Sequence, residues 1–180
     1  SLDSLSQIKT VSVDAGHDLS MNAGSNIKCK NVDAGYNINL TAGNIIDSAN
    51  ANAEGSISLN AANFSRTDVL TAGRDITIDA TEIFVTRIIA GNDINMTAAG
   101  NVNLADSKSG NNTLIAAGGN VDLLFAKAGG SIAVDANRIK ISNADAINDI
   151  SFAADTIKTI TTMAGSNLNM TGNTVISDIA

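Results

Sequence analysis

Apolar residues fall at alternate positions in short runs along this chain, and the runs return at a nearly fixed interval. Leu19, Ile38, Ile57, Ile76, Ile94, Leu114, Ile132, Ile150 and Leu168 anchor them, at successive spacings of 19, 19, 19, 18, 20, 18, 18 and 18 residues. Two residues past each anchor stand Met21, Leu40, Leu59, Ile78, Met96, Ala116, Val134, Phe152 and Met170. Two further on come Ala23, Ala42, Ala61, Ala80, Ala98, Gly118, Ala136, Ala154 and Gly172. The residues between, such as Asn39, Thr41, Ser58, Asn60 and Thr77, are short and polar. A period of two predicts strands with one face buried and the other in water, and it does not fit the i, i+3, i+4, i+7 pattern of a helix.

A small residue lies four positions before every anchor: Ala15, Ala34, Ala53, Ala72, Ala90, Gly110, Ala128, Ala146 and Ala164. Gly16, Gly35, Gly73, Gly91, Gly129 and Gly165 follow it, which predicts a corner in a backbone conformation closed to residues with a Cβ. A second apolar point comes seven or eight residues past the anchor, at Ile27, Ile45 or Ile46, Phe64, Ile83, Val102, Val121, Ile139, Ile157 and Val175. Corner asparagines (Asn26, Asn44, Asn63, Asn101, Asn120) precede many of these, and Val13, Val32, Val69 and Ile88 mark a less regular third segment. Each unit thus holds two or three short strands. Such a unit cannot bury its own apolar face, so the units must stack.

The fold expected is all-β, a right-handed parallel β-helix (β-solenoid) of about nine rungs of 16–21 residues, formed as one segment over 1–180. At about 4.8 Å per rung the rod is on the order of 45 Å long. The right hand is expected from the unequal strand spacing and from the general preference of parallel crossovers.

Composition narrows the function. The chain has 180 residues, no Pro, no Trp and 3% aromatics, but its 44% apolar content is spread evenly, which argues for folding rather than disorder. A net charge of -7 with unclustered Lys and Arg disfavours nucleic acid as a partner. No apolar run approaches the roughly 20 residues of a membrane-spanning helix, so no membrane insertion is expected. The opening SLDSLSQIKT has neither an initiator Met nor a signal-peptide pattern, and the chain reads as an internal piece of a longer one. The single cysteine, Cys29, excludes an intramolecular disulfide and is expected to face inward as a small apolar group.

The recurring motif A-G-x-[DN]-[IL]-x-[LM]-x-A, followed by G-x-N-[IV], is best preserved in residues 15–46 and 72–104. It resembles the filamentous-haemagglutinin-type repeats of large exoproteins exported by two-partner secretion, which include adhesins and the stalks of contact-dependent growth-inhibition toxins. The resemblance implies a secreted or cell-surface location on a Gram-negative bacterium. It also implies a shaft that holds an adhesive or toxic tip away from the cell, facing a host or neighbouring-cell receptor.

Candidate chemistry is sparse, and no catalytic, cofactor-binding or metal-binding residue is assigned. Asp18, Asn37, Asp75, Asp93, Asp149 and Asn167 precede their anchors, with Ser56, Thr113 and Ser131 in the same place, and are expected to form a polar corner ladder that satisfies turn amides. The G-G-x-G-x-D signature of calcium-binding solenoids is missing, and no charged cluster suggests a polysaccharide lyase. His17 and Tyr36, the only His and Tyr, share a corner one rung apart. Phe84, Ile115 and Leu124 are expected to point outward, and Asp47 and Arg66 to occupy an inner position where they pair with each other or end their strand.

Two functions from different classes follow. The first is a non-enzymatic structural shaft; the alternative is a bactofilin-like filament subunit stacking end to end. Both expect the end rungs of this segment to be open, covered in the native state by further rungs of the same chain or by another copy.

Overall fold

A computed structural model describes residues 1–177 and is all-β: nineteen strands, all paired in parallel, wind into a solenoid. Every rung repeats the same three faces. The first is the run after the anchor, as in Leu19–Ala23 and Ile38–Ala42; the second and third share one strand, as in Asn26–Ala34 and Arg138–Ala146. Pairing skips one residue in the middle of that shared strand (Lys30, Ala49, Asp68, Thr86, Ala105, Leu124, Ser142, Ile160), and the inside–outside alternation resets there. Two consecutive outward residues, such as Lys30 and Asn31, mark the bend between the second face and the third.

Inner columns run the length of the rod. Leu19, Ile38, Ile57, Ile76 and Ile94 stack in parallel register, all at most 4% exposed. On the second face the column is Ile8, Ile27, Ile46, Ser65, Ile83, Val102, Val121, Ile139, Ile157 and Val175. The third carries Val13, Val32, Ala51, Leu70, Ile88, Ser107, Ala126 and Ala144. Each large side chain withdrawn from water contributes roughly 1.5–3 kcal/mol, and that gain exists only when rungs lie above and below. Cys29 is buried as expected.

The register corrects several expectations by one residue. Ile94 pairs with Thr113 and Met96 with Ile115, so Thr113 and Ile115 are inside while Leu114 points out. The inner column therefore takes Thr113 in place of Leu114, Ile115 in place of Ala116 and Ala117 in place of Gly118, and Ser109 replaces Gly110 in the alanine column. Ile115, expected outside, is fully buried. Of Ile45 and Ile46, both offered, the second face takes Ile46; it takes Ser65, not Phe64, and the third takes Leu70, not Val69. Asp47 and Arg66 do pair in register, but on the outside; the ion pair Asp47 makes is with Lys28, at 3.2 Å.

With the register corrected, rungs are 18 or 19 residues long, narrower than the 16–21 expected. The variation has one location. From the last inner residue of the first face to the first of the second is four residues in Ala23–Ile27, Ala42–Ile46 and Ala98–Val102, but three in Ala80–Ile83. The other two faces keep their length in every complete rung.

Glycines mark corners for a reason other than the one expected. No residue among those described has a positive φ. Instead, rungs approach so closely that a methyl group built on Gly35 would stand 2.5 Å from the carbonyl oxygen of Gly16, and one on Gly91 would run into the carbonyl of Gly73. Two rungs place a side chain in this column, Glu54 and Ile147. Their N–H groups reach back 3.4 Å to Ala34 and 3.3 Å to Ala128, against 2.9–3.1 Å for the glycines at 35, 73, 91, 110, 129 and 165. At the next corner Ala99 sits 3.3 Å from Ala80, where Gly24, Gly43 and Gly118 make bonds of 2.9–3.0 Å. A Cβ is accommodated by pushing the rungs apart locally.

At the ends of the described region the inner columns emerge. Leu168 is 44% and Val175 43% exposed, against 1% and 0% for Ile150 and Ile157 one rung earlier; Leu2 is 43% exposed over a buried Met21.

Candidate functional site

The corner before each anchor contains the most regular polar arrangement in the molecule. Its cause is a local reversal of the backbone. The carbonyl of Asn37 accepts from the N–H of Leu19 in the preceding rung, at 2.8 Å. The N–H of Asn37 faces the same way, where the carbonyl of Asp18 has turned aside, so a side chain must supply the acceptor. Asp18 Oδ1 does so at 3.1 Å. The link repeats through Asn37 to Ser56 N–H at 2.9 Å, Asp75 to Asp93 at 3.2 Å, Asp93 to Asn112 at 2.9 Å, Asn112 to Ser131 at 2.9 Å and Asp149 to Asn167 at 3.0 Å. Ser56 and Ser131 carry the two remaining links through longer bonds of 3.4 and 3.3 Å. Only short side chains with an acceptor oxygen reach, which is why the column is confined to Asp, Asn and Ser. The polar corner ladder expected from sequence is therefore present, with Asn112 in the place assigned to Thr113. Thr113 instead shares an interior hydrogen bond of 2.9 Å with Ser109.

A shorter amide ladder lies at the corner between the first and second faces. Asn44 donates to Asn26 at 3.0 Å and Asn63 to Asn44 at 2.7 Å, and further along Glu82 and Asn101 accept from the backbone N–H groups of Asn101 and Asn120. His17 and Tyr36 meet as expected, ring centroids 5.5 Å apart, and Arg74 lies over the Tyr36 ring at 5.8 Å because Gly55 leaves the rung between them empty. His17 is exposed beside Asp18. The Cys29 thiol is pushed up from 9.0 to about 11, first by burial and then by the nearby Asp47 carboxylate, which makes it a poor nucleophile.

One concave feature stands apart. From the bend between the second and third faces across the outer surface of the third, a groove of about 700 Å³ crosses several rungs, with Ile89, Ala105, Leu124 and Phe125 presenting apolar surface. Leu124 and Phe125 are 50% and 53% exposed. The lining also carries two ion pairs, Arg87–Asp106 at 3.2 Å and Lys127–Asp145 at 2.9 Å. Leu124 was legible as an outward residue; Phe125 was not, because it lies where the alternation resets. Phe84, also expected outside, is 43% exposed and packs on Phe64 with centroids 5.7 Å apart. Comparison of the chain with family models, curated proteins and solved structures yields no match.

Proposed function

We propose that this chain is a stretch of non-enzymatic structural shaft in a large secreted bacterial surface exoprotein of the filamentous-haemagglutinin type, either an adhesin or a toxin-delivery stalk. What supports the reading most is the equivalence of the rungs. Inner columns, corner ladder and a single length-absorbing corner run from Leu19 to Leu168, while outward positions change chemistry from rung to rung. A repeat kept constant inside and free outside specifies length and stiffness rather than one reaction. The repeat resemblance supplies the Gram-negative cell surface as the location.

The alternative is a bactofilin-like subunit whose copies stack end to end, favoured by the half-exposed apolar residues Leu2 and Leu168 at opposite ends. Reading the encoding gene through its full open frame separates the two. A frame that continues the repeats on both sides and carries an export signal supports the shaft; a frame closing just outside residues 1–180 refutes it and favours the subunit.

A further inference from the structure

We infer that this solenoid associates side by side with a second copy of itself, the basic second face of one rod lying antiparallel along the acidic first face of the next. Charge is distributed unevenly around the rod. Of the two outward columns on the first face, the one from Ser20 to Asn169 is uncharged, and the other carries Asp3, Asp79 and Asp135 among short neutral residues. Neither holds a Lys or Arg. On the second face, the outward column that begins at Lys9 carries Lys28, Arg66, Lys140 and Lys158, with Asp47 and Asp122 as its acids. Lys28 is committed to Asp47, but Lys9, Arg66 and Lys140 make no ion pair among the described residues, and neither do Asp3, Asp79 and Asp135. All six are exposed, and the three aspartates stand outside the corner ladder.

The two sets match in spacing. Counted through the register, Asp135, Asp79 and Asp3 are separated by three rungs and then four. Lys9, Arg66 and Lys140 are likewise separated by three and then four. Laid antiparallel, Lys9 meets Asp135, Arg66 meets Asp79 and Lys140 meets Asp3, over a length of about 34 Å. Asp47 and Asp122 then meet Thr97 and Asn22, so no like charges in these columns oppose each other. A parallel arrangement shifts Arg66 one rung away from Asp79 and sets Phe84 against that carboxylate. Because both rods share one rung pitch, a match made at one rung persists along the contact. Exposed ion pairs are individually weak, so the three act together and the contact is sensitive to salt. A contact between two different faces is heterologous and leaves one basic and one acidic face free after every addition, so association does not close at a dimer.

The inference needs the rod but not the shaft reading, and the gene-frame result bears only on the latter. Sedimentation equilibrium of the 180-residue chain at about 0.1 M salt, where charges are felt over about 10 Å, is expected to show a weight-average mass that rises with concentration past twice 18.3 kDa. At about 1 M, where that range is about 3 Å, the rise is expected to vanish. Two charge-reversed chains, Lys9→Glu with Lys140→Glu and Asp3→Lys with Asp135→Lys, are each expected to stay monomeric, with circular dichroism to check folding. Mixed in equal amounts they are expected to recover the rise, because each then offers the other a complementary face. Carbodiimide, which joins a lysine amine to a carboxylate with loss of water, is expected to give wild-type Lys9–Asp135 and Lys140–Asp3 links by mass spectrometry. Within one rod those partners lie seven rungs apart and cannot be joined. A wild type that stays monomeric at about 0.1 M salt overturns the inference. So does association that survives about 1 M salt or either reversal, the result expected of apolar end-to-end stacking. A mixture that fails to recover, or cross-links confined to Lys9–Asp3 and Lys140–Asp135, overturns it as well.

Discussion

Replacing Gly91 by Ala separates two explanations for the glycine columns. If the corner needed a positive φ, the alanine would cost about 1–2 kcal/mol in backbone strain alone. The φ there is not positive, so the cost comes from the approach of the new Cβ to the Gly73 carbonyl. The protein contains its own calibration, since Glu54 and Ile147 occupy the same column with bonds of 3.4 and 3.3 Å, against 2.9 Å for Gly91 to Ala72. A backbone hydrogen bond contributes about 0.5–1.5 kcal/mol net, so lengthening one by this much forfeits roughly 0.3–0.7 kcal/mol. Against that, removing a glycine whose conformation alanine can adopt stabilises by about 0.4–1 kcal/mol through the unfolded chain. The two nearly cancel, and the expected change is within about 0.5 kcal/mol. Urea unfolding followed by circular dichroism measures it, provided the slope with denaturant is unchanged. Faster amide exchange at residue 91 is expected, because its bond is the one stretched. A loss above about 1.5 kcal/mol at unchanged slope would show that this corner cannot relax as those at Glu54 and Ile147 have, and the near-cancellation worked out above would be wrong.

Three further outcomes are expected. Leu114→Asp should change stability by no more than about 0.5 kcal/mol in the same urea assay, whereas Ile115→Asp should prevent a folded circular dichroism spectrum, because a carboxylate in the inner column has no partner. Asn112→Ala removes the acceptor of the exposed Ser131 N–H and should cost about 0.5–1 kcal/mol, while Asn112→Asp, which keeps an acceptor oxygen, should recover most of the loss. The Cys29 thiol titrates at 9.0 unfolded and about 11 folded, so the unfolded chain releases its proton first; stability is expected to fall as pH rises from 9 to 11, and Cys29→Ser should remove that component of the pH dependence.

The repeat, the first two faces of the rung and the corner ladder were legible, because burial enforces alternation and stacking repeats it at every turn; the third face was legible only as a less regular segment. At two places where the reading slipped, the inner residue was less apolar than its outer neighbour. At 113–115 the sequence offers Thr, Leu and Ile, and choosing the first apolar residue selects Leu114; the rung instead buries Thr113, whose hydroxyl bonds Ser109. Matching the small-residue–glycine pair Ser109–Gly110 to Ala90–Gly91 gives the right register, so the information was present in the corner rather than the strand. Phe64 and Ser65 repeat the lesson: the small hydroxyl fits between Ile46 and Ile83, and the ring goes outside against Phe84. The groove escaped notice because it depends on the bend at Leu124, where two adjacent residues face the same way and a strict period of two no longer applies.

The corner ladder also gives the rod an arrow. Every link has its donor N–H on the later rung and its acceptor oxygen on the earlier one. A chain delivered from its N-terminus therefore meets, at each completed turn, a row of acceptors already held in place, and the next eighteen or nineteen residues need bring only backbone amides to be captured. Growth from the opposite end has no such template, since an incoming earlier rung must orient Asp, Asn or Ser side chains onto amides that are already fixed. Winding is thus easier in the direction of synthesis.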